Sequence, residues 1–461
     1  MQDTMIRIKE VELHNIKNVE YGKIDFQNYN TLLNKAIRSE IIGIYGQNGS
    51  GKTAFVDAMW LVKYLIGGKD LPINAGDYIF ETEETATIKL GFNLNKGNNE
   101  YQIFYEVEIE RLDENKAKVI RENLAYKELV DGDWKSKAGI IDYNLKNKEY
   151  VFKPLKNYRL LTSNNADVQI DLGVAKKMSE RNRTSFVFSS ELEEIIKKNH
   201  AFKIYTDIIL ALKYYANVNL FITKNHSGGV NMNMLIPFSF RLLDEKKVTQ
   251  RDLAIGLLKP SVIPEEVYNV VIKIIDQMNI VLETIVPGLN IGLKNHGKQL
   301  REEGNEGVRI ELISIKDDVK VPLKYESDGI KKIISILSIL ITMFNNPTVC
   351  MVVDELDAGI FEYLLGEILQ IINENGKGQL IFTSHNLRPL EMLDTSSIIF
   401  TTTNPENRYM RFTNVKSNNN LRNLYYRSIN LGGQKEEIYK ETNSFDISRA
   451  FRIAGRVIDE N

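Results

Sequence analysis

The stretch GQNGSGKT (Gly46–Thr53) is the most informative segment of this chain. It matches the pattern G-x-x-x-x-G-K-[ST], whose glycines let backbone N–H groups curl around phosphate oxygens. Lys52 can then reach the β- and γ-phosphates of a nucleotide, and the Thr53 hydroxyl can bind Mg²⁺. A chance glycine-rich turn is the alternative interpretation. The predicted nucleotide-binding residues of this loop are Gly46, Asn48, Gly49, Gly51, Lys52 and Thr53.

The sequence on either side of the loop favours the nucleotide-binding interpretation. The short apolar run IIGIYG before it is typical of a buried strand that ends in glycine. After it, the apolar residues Phe55, Val56, Met59 and Val62 recur at helical spacing. Strand, glycine-rich loop and helix therefore follow one another in the order that a P-loop requires.

The bulk properties exclude several classes of protein. A chain of 461 residues is long for one simple core, so we expect two lobes or two domains. The formal net charge of −2 argues against a uniformly basic nucleic-acid binder. Because Cys350 is the only cysteine, no internal disulfide can form. The first residues lack the apolar core of a signal peptide, so we expect a cytoplasmic protein.

The longest apolar run, IISILSILITMF (Ile333–Phe344), is too short to span a bilayer. We expect it to form a buried helix, and we expect no association with a membrane. Four of the histidines, His14, His200, His226 and His296, are scattered without the spacing of metal ligands. The basic stretches SERNRTS and IKKNH are more typical of solvated helix faces than of phosphate-binding patches.

Periodicity predicts an α/β fold in three parts. Alternating apolar and polar residues before about residue 130 predict strands, and the return of alternation after Asn290 predicts more of them. Between these parts, apolar residues at i, i+3 and i+4 predict amphipathic helices. We therefore predict one P-loop ATPase head with a mixed or parallel sheet, split between residues 1–130 and 291–461. Residues 131–290 would form a mainly helical insertion, and the chain would end in a helical tail.

An acidic partner for the P-loop follows the buried-strand pattern Val349–Val353. Asp354 would hold the Mg²⁺ shell, and Glu355 would act as general base or position the attacking water. The alternative is a core strand that happens to end in two acids. Since Lys52 and Asp354 are far apart in sequence, the two halves of the head must meet in space.

Two further features lie downstream of the P-loop. LIFTSHN is an apolar strand pattern that ends at His385, which could contact the γ-phosphate or be an ordinary polar strand end. Ser327 and Gly329 precede the long apolar helix. A hydroxyl and an N–H at a helix N-terminus can bind an anion, but a plain N-cap explains the same residues.

In this order, GQNGSGKT, YESDGIKK, VVDELDAG and FTSHN resemble the ABC-type ATPase heads of the RecF, SMC and OLD kind. The closest resemblance is to the AAA-type ATPases with such heads in bacterial anti-phage and abortive-infection operons. The pair Asn48–Gly49 resembles the interior of the ABC-type P-loop. The signature differs from a full LSGGQ, and LGGQ at Leu431–Gln434 lies after His385, so we interpret it as a turn at a helix terminus.

The resemblance implies that ATP and Mg²⁺ are bound between the heads of a homodimer or a higher homo-oligomer. Ser327 and Gly329 would contact the γ-phosphate held by another subunit, and His385 would be the switch histidine. HNIKNVE resembles the N-terminal segment of these heads, which implies that Lys17 lies near the nucleotide. No glutamine stands out as a Q-loop residue, and Asn74–Glu83 is the region where we expect that loop.

The resemblance also implies a regulatory ATPase that controls a separately encoded effector, either a nuclease or another toxin. A nucleic acid or a phage protein could be the trigger. The chain after His385 is too short for the Toprim nuclease that follows the head in OLD-type relatives. The alternative is a RecF-like DNA-maintenance ATPase that clamps DNA in the ATP state. A transporter subunit and a scaffold with negligible turnover fit the sequence less well.

Overall fold

The structure is a computed structural model that describes residues 4–26, 38–113, 115–162, 165–224, 226–227, 230–231, 235–244, 247–300, 305–412 and 420–455. The first elements are β1 (Thr4–Ile16), β2 (Val19–Asp25), β3 (Glu40–Tyr45), α1 (Lys52–Ile66), β4 (Thr85–Lys96), β5 (Asn99–Arg111) and β6 (Ala117–Val130).

The middle of the chain contributes β7 (Asp133–Trp134), β8 (Ala138–Asn144), β9 (Phe152–Lys153), α2 (Leu155–Thr162), α3 (Ala166–Asn182), α4 (Ser190–Lys197), α5 (Lys203–Val218), β10 (Leu220–Thr223), β11 (His226–Ser227), β12 (Val230–Asn231), β13 (Leu235–Asp244), β14 (Lys247–Gly256), β15 (Ser261–Pro264) and α6 (Glu265–Ile285). The last part contributes β16 (Leu289–Leu300), β17 (Glu306–Lys316), β18 (Val319–Pro322), α7 (Asp328–Asn345), β19 (Cys350–Val353), α8 (Glu362–Asn375), β20 (Gln379–Thr383), α9 (Pro389–Met392), β21 (Ile398–Thr401), β22 (Tyr409–Met410), α10 (Leu421–Leu431) and α11 (Ser444–Ala454).

The central sheet has the strand order β10-β19-β20-β3-β21-β22 and is parallel except for β22 at its edge. Strand β20 lies between β3, which leads into the P-loop, and β19, which leads into Asp354. The carboxyl ends of parallel strands meet at one edge of the sheet, where ligands of such folds commonly bind. This strand order brings the two halves of the predicted head together, and the mixed α/β fold class is confirmed.

Alternate residues of the central strands enter opposite cores. In β3, Ile42 and Ile44 pack into the core that contains α1 and the large antiparallel sheet. Ile41 and Tyr45 of the same strand pack into the second core, which contains buried residues of α6, α7 and α8. Because both faces of a parallel sheet are covered, its strands are continuous apolar runs rather than alternating ones. This explains why IIGIY and CMVV carry no charged side chain.

The large antiparallel sheet has the order β2-β1-β4-β5-β6-β8-β9, and β7 pairs with β6. A register shift between Ile8 and Glu10 interrupts the pairing of β1 with β4. At this point the side-chain amide of Gln379, at the start of β20, donates to the carbonyl oxygen of Ile8 and accepts from its N–H, both at 2.8 Å. Gln379 therefore joins the two sheets through both backbone groups of one residue, Ile8.

The segment 131–290, for which a mainly helical insertion was predicted, contains both helices and strands. Helices α2 to α6 lie there, but so do β8, β10 and the β13–β14 hairpin. The four residues of β10 pair in parallel with β19, so they extend the central sheet. A four-residue apolar run cannot be assigned from periodicity alone, which is why this strand was missed. Within residues 226–233, where a loop was predicted, the described ones form the short β11–β12 pair, and the others lie outside the described residues.

The predicted buried helix over Ile333–Phe344 lies within α7, whose apolar side chains belong to the second core. Across the residues described by the structure, none of the helices has the length and apolar character needed to cross a membrane. The LGGQ stretch marks the end of α10, as predicted. The Gly432 N–H donates to the carbonyl oxygen of Ser428 at 3.1 Å, and Gly432 has a φ of +66°.

Candidate functional site

The P-loop connects the end of β3 to the first turn of α1. Gly51 precedes Lys52, the first residue of the helix, with a φ of +94°, a conformation that an L-side chain rarely adopts. The first turn of α1 contains no acidic residue. The positive end of the helix dipole and the loop N–H groups are therefore available to an anion, without a carboxylate that competes for them.

Lys52 is held by the loop that it follows. Its Nζ donates to the carbonyl oxygens of Gly46 at 2.8 Å and Gln47 at 2.9 Å, and the residue is only 7% exposed. Burial lowers the pKa of Lys52 to about 8, and the nearby carboxylates of Asp354 and Glu355 oppose that shift. The ammonium group thus binds two carbonyl oxygens of the loop and lies close to the acids at the end of β19.

Asp354 and Glu355 follow β19, as predicted, and Thr383 at the end of β20 orients both. The Thr383 hydroxyl donates to Oδ1 of Asp354 at 2.7 Å and accepts from the backbone N–H of Glu355 at 2.7 Å. The Thr53 hydroxyl lies 3.5 Å from the same Asp354 oxygen. A hydroxyl and a carboxylate at this separation are oxygen ligands of the kind that Mg²⁺ prefers.

Glu355 has a φ of +46°, which is uncommon for a residue other than glycine. Its N–H bond to Thr383, and the bond from the N–H of Leu356 to the carbonyl oxygen of Thr383 at 3.0 Å, hold this conformation. Such an unfavourable backbone conformation persists only where contacts with the surrounding structure hold it in place. Here it turns the chain abruptly after Asp354, so that Glu355 also faces the cavity.

These residues surround a cavity of about 480 Å³. A cavity of this volume is in the range of small-molecule binding sites. Its walls are formed by the P-loop, the turn between β1 and β2, and the ends of β19 and β20. The lining residues are Lys17, Asn18, Asn48, Gly49, Gly51, Lys52, Thr53, Ala54, Asp354, Glu355, Thr383 and His385. Of the predicted site residues, Gly46, Ser327 and Gly329 are outside this lining.

His385 lies at the cavity two residues after Thr383. Its backbone N–H donates to Oδ2 of Asp357 at 3.0 Å, and the N–H of Asn386 donates to the same oxygen at 2.9 Å. Partial burial of the ring, followed by the positive charge of Lys52, lowers the pKa of His385 below its usual value. The ring is therefore neutral at physiological pH and can offer one donor and one acceptor to a ligand.

Lys17 reaches the cavity from the turn between β1 and β2. Its ammonium group binds the carboxylate of Asp57 on α1, which is 1% exposed. Lys224, which follows β10, binds the other oxygen of the same carboxylate. Lys224 also lies over the ring of Trp60, 4.3 Å from its centroid. One buried acid thus joins the cavity wall to the P-loop helix and to the central sheet.

The predicted signature residues lie at the N-terminus of α7. The Ser327 hydroxyl accepts from the N–H of Ile330 at 3.3 Å, so the N-cap is present. Gly329 packs against the backbone of Gly359. Neither Ser327 nor Gly329 lines the cavity of its own chain. The cap accounts for Ser327 within one chain, and contact with a nucleotide on another subunit stays a prediction.

Comparison with known proteins identifies the family. The AAA ATPase domain matches residues 6–388, which include the P-loop, the acids after β19 and His385. This chain belongs to the AAA ATPase domain family. The ATPase domain thus covers most of the chain, including the middle segment. No curated protein matches the sequence.

Solved structures give further matches to this ATPase, at low identity. The Smc head domain with an extended coiled coil bound to the C-terminal domain of ScpA, from Pyrococcus furiosus, is 12% identical. It covers 88% of this chain and 96% of its own, with a TM-score of 0.39. The SMC head domain from Thermotoga maritima is 14% identical, with 88% and 98% coverage and a TM-score of 0.36. The recombination mediator RecF with ATP is 12% identical, with 83% and 94% coverage and a TM-score of 0.34. At these TM-scores the matches carry no argument about function.

Sequence reasoning missed two buried residues of this ATPase site. Thr383 was hidden within the apolar strand pattern before His385. Lys332, in the second turn of α7, donates to the carbonyl oxygen of Asp354 at 3.1 Å. Its only signal was a lysine directly before the apolar run that begins at Ile333. A charged residue at the edge of a core helix usually reaches solvent, and nothing local indicates that Lys332 turns inward.

Proposed function

We propose that this chain binds ATP with Mg²⁺ in the 480 Å³ cavity and hydrolyses it. The convergence of the P-loop, Asp354, Glu355 and His385 on that one cavity carries the proposal. The loop N–H groups and Lys52 would bind the phosphates, and Thr53 and Asp354 would hold the metal ion. The bound metal ion would neutralise the charge that develops on the phosphate oxygens.

Glu355 would orient the attacking water and accept its proton, because its carboxylate follows Asp354 directly and borders the same cavity. His385, with its lowered pKa, would donate one N–H to a γ-phosphate oxygen. Lys17 would add a positive charge at the opposite wall, where it remains bound to Asp57. In this arrangement the chain supplies positioning and electrostatic stabilisation, which are the main contributions to phosphoryl transfer.

We further propose that ATP joins two or more copies of the head. Ser327 and Gly329 lie outside the cavity of their own chain, as a group that serves another subunit would. Two exposed aromatic residues are close by in the chain: Tyr325, two residues before Ser327, is 71% exposed, and Phe361, two residues after Gly359, is 73% exposed. Exposed aromatic groups of this size are enriched at protein interfaces. Residues 131–290 would then act as an insertion between the two parts of each head.

The output that we propose is control of a separate effector in bacterial anti-phage defence, with a nucleic acid or a phage protein as trigger. This part rests on the order of the four motifs and on their resemblance to the ATPases of abortive-infection systems. A RecF-like ATPase that clamps DNA is the alternative. It predicts binding to DNA that needs ATP and weakens steeply with salt, since phosphate contacts release counterions.

Mass photometry of the wild type and Glu355→Gln, with and without ATP and Mg²⁺, tests the proposal on protein co-expressed with its operon neighbours. We expect ATP to drive assembly, Glu355→Gln to trap it, and a neighbouring protein to remain bound. Turnover of Glu355→Gln should fall about 10²- to 10⁴-fold, as expected for loss of a general base. Glu367→Gln, which changes an exposed glutamate on α8, is the matched control.

Three outcomes contradict parts of this proposal. A lone monomer in every nucleotide state contradicts assembly through ATP. Salt-sensitive binding of duplex DNA by the ATP-bound protein without any partner favours the DNA-clamping alternative. Cleavage of DNA or RNA by the purified chain in the absence of ATP contradicts a regulatory role that acts through a separate effector.

A further inference from the structure

Lys332 is a buried lysine inside the second core, next to the site but outside the cavity lining. It is 5% exposed, and its Nζ donates to the backbone carbonyl oxygen of Asp354 at 3.1 Å. Its own carbonyl oxygen accepts from the Ser335 hydroxyl at 2.7 Å. Burial of a lysine is costly unless its ammonium group has partners, so an apolar residue would fill this core position at less cost. The charge at this position therefore needs an explanation.

The partners of Lys332 give that explanation. The carboxylates of Asp354, Glu355 and Asp357 all act on its charge and oppose the effect of burial, which lowers its pKa to about 8. The same three acids act on Lys52 from the side of the P-loop. Lys52 lines the cavity together with Asp354 and Glu355, whereas Lys332 reaches the backbone of the same turn from α7.

Helix α7 touches this turn a second time. Gly329, one helical turn before Lys332, packs against Gly359, so the helix contacts both ends of the segment from Asp354 to Gly359. Between these contacts the turn is closed by its own backbone bonds, from Ala358 N–H to the carbonyl oxygen of Glu355 at 3.1 Å among others. A displacement of α7 is therefore transmitted to the turn that carries the proposed general base.

We infer that Lys332 is a positioning residue for ATP hydrolysis. Its bond to the Asp354 carbonyl oxygen fixes the peptide that precedes Glu355, and it links the orientation of Glu355 to the position of the N-terminus of α7. Because Lys332 lies outside the cavity lining, it acts through the backbone of the turn. The inference rests on the proposed ATPase function, and it adds a route by which a partner bound at Ser327–Gly329 sets the rate of hydrolysis.

The test compares Lys332→Met with the wild type in steady-state ATP hydrolysis, in binding of a fluorescent ATP analogue and in amide hydrogen exchange of residues 351–360. We expect kcat to fall at least tenfold while KM and analogue affinity change less than threefold. We also expect the amides of Glu355 and Leu356 to exchange faster. Lys332→Arg, which keeps a charged donor, should recover part of kcat. If Lys332→Met does not fold, Lys332→Gln, which keeps a donor without the charge, takes its place.

Ile334→Ala on the same helix is the control for loss of core packing, because Ile334 is fully buried in the second core. It should lower the melting temperature without a selective fall in kcat. The inference is overturned if Lys332→Met or Lys332→Gln has the kcat of the wild type. It is also overturned if Ile334→Ala lowers kcat as much as the Lys332 variant does, when the two variants have the same melting temperature. A wild-type protein that turns over no faster than Glu355→Gln refutes the proposed function itself, and the inference with it. If instead the wild type hydrolyses ATP and the Lys332 variant is equally active, the proposed function stands and only the inference about Lys332 fails.

Discussion

Gly329 and Gly359 are packed backbone against backbone: a Cβ placed at Gly329 would lie 2.0 Å from the carbonyl oxygen of Gly359. No side chain can be accommodated there without movement of one of the two segments. Gly359 itself has a φ of +74°, so both glycines are required, one for space and the other for conformation. The N-terminus of α7 and the turn after Asp354 therefore move as one unit.

The first prediction follows from this contact. Gly329→Ala should push the 354–359 turn away from α7, lower the free energy of unfolding by about 1–3 kcal/mol through overpacking, and reduce ATP turnover. Gly173→Ala, inside α3, is the matched control, because nothing lies within 4 Å of its added Cβ. That change should stabilise the protein by up to about 1 kcal/mol. Chemical denaturation and ATPase assays measure both, and unchanged turnover in Gly329→Ala would contradict the coupling.

The second prediction concerns Thr383, whose hydroxyl serves both Asp354 and Glu355. Thr383→Val keeps the shape but leaves the Glu355 N–H without its acceptor, at a cost of about 1–3 kcal/mol in unfolding free energy. Because Glu355 then loses its fixed orientation, we expect turnover to fall by up to about 10²-fold. Thr383→Ser keeps the hydroxyl and should stay within severalfold of the wild type. Equal rates in the valine and serine variants would show that the hydroxyl has no role in turnover.

The third prediction separates the two lysines that bind Asp57. Lys17 lines the cavity, whereas Lys224 lies outside the lining and contacts Trp60 and the Tyr78 hydroxyl, the latter at 3.2 Å. Lys17→Ala should weaken ATP binding about tenfold, as expected for one charged contact. Lys224→Ala should leave ATP affinity nearly unchanged and lower the unfolding free energy by about 1–3 kcal/mol. Isothermal titration with a nonhydrolysable ATP analogue measures affinity, and denaturation measures stability. The prediction is contradicted if Lys224→Ala weakens ATP binding while Lys17→Ala only lowers stability.

The fourth prediction concerns Glu122, a fully buried carboxyl group of β6. Oε1 accepts from the hydroxyls of Tyr105 and Ser185 at 2.7 and 2.5 Å, and Oε2 accepts from the N–H groups of Phe186 and Val187 at 2.7 and 3.2 Å. Burial raises the pKa of Glu122 above its ordinary value of 4.5, although these four bonds act in the opposite direction. The group thus joins the antiparallel sheet to the chain between α3 and α4.

A carboxyl group whose pKa is higher in the folded state binds protons more tightly there than in the unfolded chain. Its contribution to stability is complete below the unfolded pKa near 4.5 and is lost as the pH rises through the folded pKa. Glu122→Gln has no such titration. The unfolding free energy of the wild type relative to Glu122→Gln should therefore decrease as the pH rises from 4.5 towards neutrality. Denaturant unfolding at several pH values measures this difference, and a constant or increasing difference contradicts the shift.

Much of the site could be predicted from local patterns. The P-loop is a continuous stretch in which strand, loop and helix follow in order, so Lys52 and Thr53 could be proposed as phosphate and Mg²⁺ ligands without a structure. Asp354 and Glu355 were predicted because a buried strand ends directly before them. His385 was predicted for the same reason, and the structure places it at the cavity. In each case the predicted functional residue lies within a few positions of the strand or loop pattern that indicates it.

Other contacts could not be predicted, because they join residues that are far apart in the chain. Thr53 and Asp354 are 301 residues apart in the chain, and the position of β20 between β3 and β19 brings Thr383 to the same Asp354 oxygen. Lys332 and Lys224 are lysines, a residue type that usually lies at the surface, but both point inward. Lys332 donates to the carbonyl oxygen of Asp354, and Lys224 binds the carboxylate of Asp57. Strand β10 was too short for its period to distinguish it from the helices around it.

Short stretches of sequence were enough to predict the ATPase class and the residues proposed to bind phosphate and metal, since these depend on local backbone conformation and residue type. The side chains that orient them became visible only in the folded structure. The parallel sheet aligns the ends of β3, β20 and β19 at one edge, and close packing against α7 fixes the turn that carries Glu355. Long-range packing of this kind depends on the order of strands in the sheet, and a one-dimensional pattern does not contain that order.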